Sequence, residues 1–499
     1  MHVSTQRRTA EPYGPSLPAL CCNRSPCGEL SARPGVLFGV ATSAQVDADG
    51  LRDVLELCRR SGADYADLFI EDTYTQELVV QDDSVDDVVA GHDRGVGVRV
   101  IAGTTTGFAS TADMGPAAVR AAALQALANA RRGVGESAAS PLSQHVHLRH
   151  GHSHELRSRS LVAADILESH RATASGHGDS RIETKYVETD RLIRVLSTSG
   201  VDAADRQLRS KITTTTVVPG SAGPLRGRMT DGRSGEARLT GQAIQSNVAS
   251  ALTQALTKAD AVAAPTGEHT VVLQAGSAGV LLHEACGHGL EADKIVTGAS
   301  NYSDLLGEYV ASPLVTVIDD GTDPLLWGSS SIDDEGSPTV ETTLIQDGRL
   351  VGYVHHRASA AAFGVTSCNA RRQSYRNVPT VRMTNTMIAP GTSDPHQLVA
   401  DVDAGIYVAQ LRGGEVNSSS GVFVFGTAQA YLIERGEITR PIGDTSLVGT
   451  DIDVLTNIDG VGSDLVMAAG GTCGKEGQSV PVGFGCPTLR VRRMTIGGY

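Results

Sequence analysis

The residues best suited to chemistry lie in one apolar stretch, VLLHEACGHGLEAD, at positions 280–293. It carries His283, Glu284 and His288. Two neutral imidazoles can hold a metal ion, and a carboxylate beside them can take a proton from bound water. The competing interpretation is a satisfied core histidine followed by a histidine near a helix C-terminus. Because burying Glu284 among apolar residues is costly without a partner, the carboxylate favours a metal site.

The histidine spacing departs from the usual zinc-peptidase pattern, in which the two histidines are four residues apart. Here the pattern is H-E-x-x-x-H. On a regular helix, a five-residue step places the second ring about 140° from the first, too far for one ion. A π-type turn would correct this by widening the helix. Alternatively, the helix ends at Gly287 and the chain swings His288 back. Both geometries remain open.

A third ligand is needed, since a catalytic zinc usually has three protein ligands and one open position. The best candidate outside the motif is Cys473, within the stretch GGTCGKEGQ at 470–478. Lys475 would help to lower the pKa of this thiol, and the neighbouring glycines would leave it accessible.

Composition narrows the class of protein. The net charge of -14 argues against a protein that grips nucleic acid through its phosphates. The sequence has no apolar run of the ~20 residues that a membrane-spanning helix needs, and no secretory signal follows the early arginines. The eight cysteines show no framework spacing, which indicates reduced thiols and a cytoplasmic protein.

The pattern of apolar residues predicts an α+β protein with two domains. Residues 1–45 are expected to be a disordered extension, and the histidine-rich segment 145–154 a loop without a specific metal site. Residues 46–262 are expected to form an antiparallel sheet with helices on one face. The predicted helices are 47–60, 116–131, 161–173 and 243–261. The predicted strands are 66–71, 75–82, 95–101, 181–187, 191–197 and 201–218, with a turn-rich interruption at 220–235.

Residues 267–499 are expected to form a mostly antiparallel β domain that carries the metal-binding helix. Asp347-Gly348 is typical of a hairpin turn. The many glycines of this half would allow an extended peptide to approach the backbone closely. The predicted strands are 269–274, 314–318, 343–345, 350–354, 422–425, 428–434 and 437–440.

Six sequence blocks resemble the TldD/PmbA family of bacterial metallopeptidases and occur in the order found in that family. The family is also named for modulation of DNA gyrase. The resemblance covers residues 46 to 499 and is strongest after 270. One departure is Cys286, where the family often has an aliphatic residue; we expect a small core residue there. The blocks are HEACGHGLEAD at 283–293, VIDDG at 317–321, IDDEGSP at 332–338, RRQSY at 371–375, RMTNT at 382–386 and CGKEGQSVPVG at 473–483.

The resemblance implies the roles of the site residues. In the family's active subunit, both motif histidines and a late cysteine hold one Zn²⁺ per chain, which falls here on His283, His288 and Cys473. The motif glutamate, here Glu284, is the catalytic base. All four are present, so the chain resembles the TldD-type catalytic subunit. The family typically works as a heterodimer with a PmbA-type (TldE) subunit and trims unfolded peptides, held as an added strand; a homodimer is the alternative.

The prediction is therefore a zinc-dependent metallopeptidase acting on unfolded or small peptides, with Glu284 activating zinc-bound water. Arg371, Arg372, Tyr375 and Arg382 are candidates, by residue type, for binding substrate or stabilising the oxyanion. The alternative is a catalytically silent partner or scaffold subunit with a structural metal site. The glutamate beside the first histidine favours the enzyme, because a structural site needs no base. Nucleic-acid modulation is disfavoured by the negative charge.

Overall fold

A computed structural model describes residues 48–131, 156–177, 179–221, 223–235 and 238–497. The predicted extension at 1–45 and the histidine-rich segment 145–154 lie outside the described residues. Every described residue belongs to one compact unit, Thr42–Tyr499. No helix within the described ranges is long and apolar enough to cross a membrane.

The first half of the chain forms a six-stranded antiparallel sheet, as the alternating pattern predicts. Its order is β3-β2-β1-β4-β5-β6. The strands are β1 Tyr65–Gln81, β2 Ser84–Ala102, β3 Thr105–Thr111, β4 Arg181–Ser197, β5 Asp202–Val218 and β6 Leu225–Ser234.

The strand prediction is wrong in several details. It lacks β3, and its strand 95–101 covers only the last part of β2. The pairs predicted at 66–71 and 75–82, and at 181–187 and 191–197, are each one continuous strand. The segment predicted as a turn-rich interruption contains β6. Its Gly227 lies so close to the next helix that a Cβ there would be 1.9 Å from the Ala251 carbonyl oxygen. Here glycine serves helix–strand packing, whereas in sequence it signals a turn.

Four helices cover one face of this sheet, as predicted. They are α1 Ala48–Arg60, α2 Pro116–Ala130, α3 Arg159–Ala174 and α4 Gly241–Thr257, the last followed by a 3₁₀ turn at Lys258–Asp260. Residues of α1 and α2 pack on β1 and β2, and residues of α3 and α4 pack on β1, β4 and β5. The opposite face meets the second half of the chain, where Phe69 and Ile193 contact Ile332 and Tyr375.

The second half is built from mixed β-sheets and short helices. One sheet has the order β10-β9-β8-β13-β20-β19, and another has the order β14-β7-β21-β17-β15-β16, with β18 on β21 and a small β11-β12 pair apart. The strands are β7 Gly267–Leu273, β8 Val317–Asp320, β9 Glu341–Gln346, β10 Arg349–Leu350, β11 Ala370–Arg371, β12 Thr380–Val381, β13 Asn385–Ile388, β14 Ala404–Asn417, β15 Val422–Glu434, β16 Glu437–Ile442, β17 Ser446–Thr450, β18 Ile458–Val461, β19 Val466–Lys475, β20 Gln478–Cys486 and β21 Leu489–Gly497. The helices are α5 Gly279–Leu281, α6 Ala292–Val296, α7 Arg357–Phe363, α8 Pro395–Ala400 and α9 Asp451–Thr456.

Most pairings in this half are antiparallel, as expected, but β7–β14 and β13–β20 are parallel. The hairpin predicted at Asp347-Gly348 joins β9 and β10. The apolar side chains of the motif, including Leu282, Ala285 and Cys286, pack in the largest core cluster of this half. Cys286 is therefore the small core residue expected from its position.

Candidate metal centre

The motif adopts a sequence of three different helical turns. Helix α5 runs into a π-turn at Leu282–Cys286, which is followed by a 3₁₀ turn at Gly287–Leu290. Of the two geometries left open, the π-type turn is the one present, and Gly287 continues it with φ -56 and ψ -49. The widened turn brings the rings of His283 and His288 to a centroid separation of 5.2 Å.

The motif glycines are required by packing. A Cβ on Gly287 would lie 2.0 Å from the Met383 sulfur, and one on Gly289 would lie 2.6 Å from the Tyr302 ring. Since Gly287 keeps ordinary right-handed helical angles, its value is the missing side chain rather than freedom of φ. The missing side chains therefore allow the motif to pack directly against Met383 and Tyr302.

Strand β19 brings Cys473 to the two histidines. The ligand atoms of His283, His288 and Cys473 all lie within 4.8 Å of one another. The Cys473 sulfur is 3.1 Å from Nε2 of His288. All three side chains are buried, so the expectation that the glycines would leave Cys473 accessible is wrong; the thiol is covered by its own hairpin, where Val480 and Val482 pack against it.

This donor set fits a zinc ion. Neither ring nitrogen of His283 has a hydrogen-bond partner in the described part of the chain, although both are buried. Buried polar atoms are normally satisfied, so an unsatisfied imidazole among metal-ligand side chains indicates a missing partner. Ligands placed about 2.0–2.3 Å from a tetrahedral zinc lie roughly 3.3–3.7 Å apart, close to the observed separation of Cys473 and His288.

The electrostatics of the cluster prepare the thiol for metal binding. Burial raises the pKa of Cys473, but the imidazoles of His283 and His288 beside it bring that pKa down to about 4. The thiolate, which is the form that binds metal, therefore dominates at neutral pH. Burial lowers the pKa of His288, but the charges of Glu291 and Cys473 raise it to about 10. Without a metal, His288 consequently carries a proton.

Glu291 connects the two ligand-bearing elements. It is fully buried, and Oε1 lies 3.0 Å from Nδ1 of His288. Its Oε2 lies 3.1 Å from the ammonium groups of both Lys294 and Lys475. Lys475 also lies 2.6 Å from Asp293, so it pairs with two carboxylates instead of acting directly on the thiol. Because Lys475 follows Cys473 by two residues, this ion cluster ties the motif to β19.

Sequence reasoning missed Glu291. The available signal was its position three residues after His288, which on a helical turn lies on the same side. Its carboxylate lies at ion-pair distance from the second ring nitrogen of His288, where such a group helps to orient a metal-binding histidine.

Glu284 occupies the open side of the cluster. Its side chain is 27% exposed, and Oε2 lies 3.7 Å from Nε2 of His288. The three candidate ligands are buried, whereas this carboxylate reaches solvent. That placement suits a group that must meet both a water molecule and a substrate.

The four predicted substrate-binding residues lie in different environments. Arg382 is fully buried and donates to the backbone carbonyls of Cys473 and Gln478. It therefore supports the hairpin that carries the candidate ligand. Arg371 donates to the carbonyl of Met383 at 2.8 Å and also lines a cavity.

The other two lie at the contact with the first sheet. Arg372 is fully buried, with its guanidinium 4.3 Å from the centre of the Phe69 ring. The backbone N–H of Tyr375 donates to Glu71 at 2.6 Å, and its hydroxyl lies 3.3 Å from Asp93. Both residues join the two halves of the chain, and Arg372 also lines the cavity.

A cavity of about 500 Å³ lies between the first sheet and the second half of the chain. Its walls come from β1, β4 and β5 on one side, and from Trp327, the 330–334 segment, 371–373 and Ser479–Pro481 on the other. Val480 pairs with Cys473 across the β19–β20 hairpin, so the hairpin that carries this candidate ligand also forms part of the cavity wall.

Comparison with known proteins places the chain among metallopeptidases. Residues 266–498 match the PmbA/TldA metallopeptidase C-terminal domain, and residues 66–130 match PmbA/TldA metallopeptidase domain 1. A protein of Haemophilus influenzae named metalloprotease TldD homolog is 35% identical over 472 residues, covering 92% of this chain and 98% of its own length. The chain belongs to the PmbA/TldD metallopeptidase family, which confirms the resemblance seen in the sequence blocks.

Two further similarities are informative. A Saccharolobus solfataricus protein named zinc metalloprotease TldD homolog is 32% identical over 237 residues, covering 47% of this chain and 52% of its own length. The crystal structure of TldE from Thermococcus kodakarensis has a TM-score of 0.73 at 16% identity, covering 90% of this chain and 100% of that one. At 16% identity, the similarity to the T. kodakarensis structure shows that the fold is shared.

Proposed function

We propose that this chain is a zinc-dependent metallopeptidase that hydrolyses peptide bonds in unfolded or small peptides. One observation carries the proposal: His283, His288 and Cys473, from two separate elements, converge in a buried cluster with Glu284 at its open side. The metalloprotease names of the relatives support the reaction class, and the name of the S. solfataricus relative supports zinc.

The chain's own residues then have distinct tasks. Cys473, as a thiolate, binds the metal together with His283 and with His288 once its proton has left, while Glu291 holds the His288 ring in place. Zinc, when bound, polarises the peptide carbonyl and lowers the pKa of water towards ~7. Glu284 accepts the proton from the attacking water and returns it to the leaving amine.

The competing proposal is a silent subunit with a structural metal. It predicts four protein ligands in a closed site, because structural zinc sites are fully coordinated by the protein. The described residues offer three ligands in this cluster, with a partly exposed carboxylate beside them. This arrangement favours the enzyme.

The test compares wild type with Glu284→Gln, measuring cleavage of an unfolded reporter peptide and zinc content on the same samples. We expect the variant to keep its zinc and to lose activity by about 10²- to 10⁴-fold, the usual contribution of a general base. Glu268→Gln, at a side chain that is 61% exposed, is the matched control and should change neither quantity.

Equal cleavage by both proteins would show that the mechanism is wrong. Failure of both to cleave, with zinc bound, would favour the silent subunit unless addition of a partner restores activity.

We further propose that the working form is a heterodimer with a PmbA/TldE-type subunit in the cytoplasm, with a homodimer as the alternative. The described cysteines are all free thiols, which suits a reducing compartment. Light scattering during size-exclusion chromatography, on the chain alone and co-expressed with such a subunit, distinguishes the two assemblies. A chain that stays monomeric in both samples would refute both.

A further inference from the structure

The cavity between the first sheet and the second half of the chain has a regular polar wall. Along β5, the alternate residues Gln207, Arg209, Lys211, Thr213 and Thr215 all line it. Because successive side chains of a strand point to opposite faces, this row faces away from the helices. The sheet therefore presents a continuous polar surface, with two cations at its centre, to the second half of the chain.

Two carboxylates of the wall share one cation. Glu71 lies 2.8 Å and Asp334 lies 3.8 Å from the Arg191 guanidinium, and Asp334 also accepts a hydrogen bond of 2.6 Å from the backbone N–H of Arg372. Burial, together with the charge of Glu335, raises the pKa of the Asp333 carboxyl.

Two exposed charges at the rim offset each other. Glu183 and Arg228 both line the cavity, and both pair in register with Thr215 from opposite sides. The net charge of the wall is therefore set by groups deeper in the cavity.

Three further cations line the wall, and Asp334 acts on two of them, Arg209 and Arg371, only at longer range. Among the described residues, no carboxylate lies within ion-pair distance of Arg209, Arg371 or Lys211. The Arg209 guanidinium instead donates to the carbonyls of Trp327 and Ser329, at 3.0 and 2.7 Å. Lys211 lies 3.3 Å from the hydroxyl of Thr472. Arg209 and Arg371 are buried and Lys211 is half-buried, and burial of a cation without a directly paired anion is costly.

Burial and neighbouring positive charges lower the pKa values of two of these cations. Burial and the positive charges of Arg371 and Arg191 lower the pKa of Arg209 to about 9. Burial also lowers the pKa of Lys211, and the nearby cations Arg228 and Lys185 add to that effect. The cavity therefore carries an excess of positive potential, although the protein as a whole has a net charge of -14.

We propose that this cavity binds a carboxylate of the peptide substrate, through Arg209, Arg371 and Lys211. The inference rests on the proposed peptidase function and names a substrate preference for it. Lys211 contacts the hydroxyl of Thr472, one residue before Cys473, so the cations lie against the hairpin that carries the candidate ligand. The group is either the C-terminal carboxylate or an acidic side chain, since the two share the same chemistry.

The experiment uses four versions of one unfolded peptide labelled at its N-terminus. The C-terminus is a free acid or an amide, and one internal residue is Glu or Gln. Binding to the full-length, zinc-loaded chain is measured by fluorescence anisotropy, and hydrolysis is measured in parallel. Lys211→Gln is the test variant. Lys258→Gln is the matched control, because that lysine is outside the cavity and already pairs with Asp444 at 3.0 Å.

We expect wild type and Lys258→Gln to bind a carboxylate-bearing peptide roughly 10- to 100-fold more tightly than the fully neutral one. Lys211→Gln should lose most of that preference while its affinity for the neutral peptide stays the same. Comparison of the acid–amide pair with the Glu–Gln pair identifies which carboxylate is bound.

Equal affinities for all four peptides, no detectable binding, or an unchanged preference in Lys211→Gln would overturn the inference. Cleavage of the neutral peptide in that case would leave the peptidase proposal standing. Conversely, a carboxylate preference in binding without cleavage of any peptide, either by the chain alone or after addition of a PmbA/TldE-type subunit, would refute the peptidase proposal alone.

Discussion

Replacement of Glu291 by glutamine tests the organisation of the candidate metal centre without removing a ligand. The change keeps the size of the side chain and deletes its negative charge. In the protein that charge lies 3.0 Å from His288 and 3.1 Å from Lys475 and Lys294. Lys475 retains Asp293 at 2.6 Å, so the two elements remain connected.

The main expected effect of Glu291→Gln is a loss of metal affinity. Removing a carboxylate that orients a metal-binding histidine typically reduces metal affinity about 10- to 100-fold, or roughly 1.4–2.8 kcal/mol. Stability of the metal-free protein should fall as well, by no more than the ~3–5 kcal/mol of a broken buried ion pair, because Asp293 still compensates Lys475.

The assay is competition for zinc between the protein and a chromophoric chelator, repeated from pH 6 to pH 9. Glu291 strengthens the His288–metal contact but also raises the pKa of His288, so it favours the competing proton too. The deficit of Glu291→Gln should therefore grow as pH rises. A purely structural defect would give a deficit independent of pH. Zinc affinity equal to that of wild type at every pH would refute the positioning role.

Three other predictions follow from named contacts. Because the pKa of His288 in the folded protein is about 10, a proton competes with zinc for its imidazole below that pH. Zinc affinity should thus rise with pH between 6 and 9, with proton release visible by calorimetry in buffers of different ionisation enthalpy; a flat profile would contradict this. Gly287→Ala places a Cβ 2.0 Å from the Met383 sulfur and should cost about 1–3 kcal/mol of unfolding free energy, partly recovered in a Gly287→Ala/Met383→Ala double variant. Arg99→Gln removes a buried cation 2.7 Å from Glu335, and chemical denaturation should show a loss of about 3–5 kcal/mol in the free energy of unfolding; a loss below ~1 kcal/mol would mean that the Arg99–Glu335 ion pair does not hold the two halves of the chain together.

Sequence reasoning predicted much of the fold because the patterns involved are local. Alternation along β4 and β5 and the helical period of α1 required no knowledge of distant residues. Strand ends were less predictable. The segment containing β6 carries glycines, which indicate a turn when only the sequence is considered. At Gly227 the glycine allows the close approach of α4, and this is a tertiary contact. The parallel pairings of β7 with β14 and of β13 with β20 likewise join strands far apart in sequence.

The sequence by itself determined the chemical inventory of the candidate site: two histidines, a carboxylate beside the first, and a late cysteine in a recognisable family pattern. It left open how histidines five residues apart could face one ion, and the π-turn at Leu282–Cys286 answers that question. Burial of Cys473, the contact of Glu291 with His288 and the unpaired cations of the cavity were decided by tertiary structure. The physical reason is that burial and pKa depend on atoms brought together through space, from segments that sequence spacing does not relate.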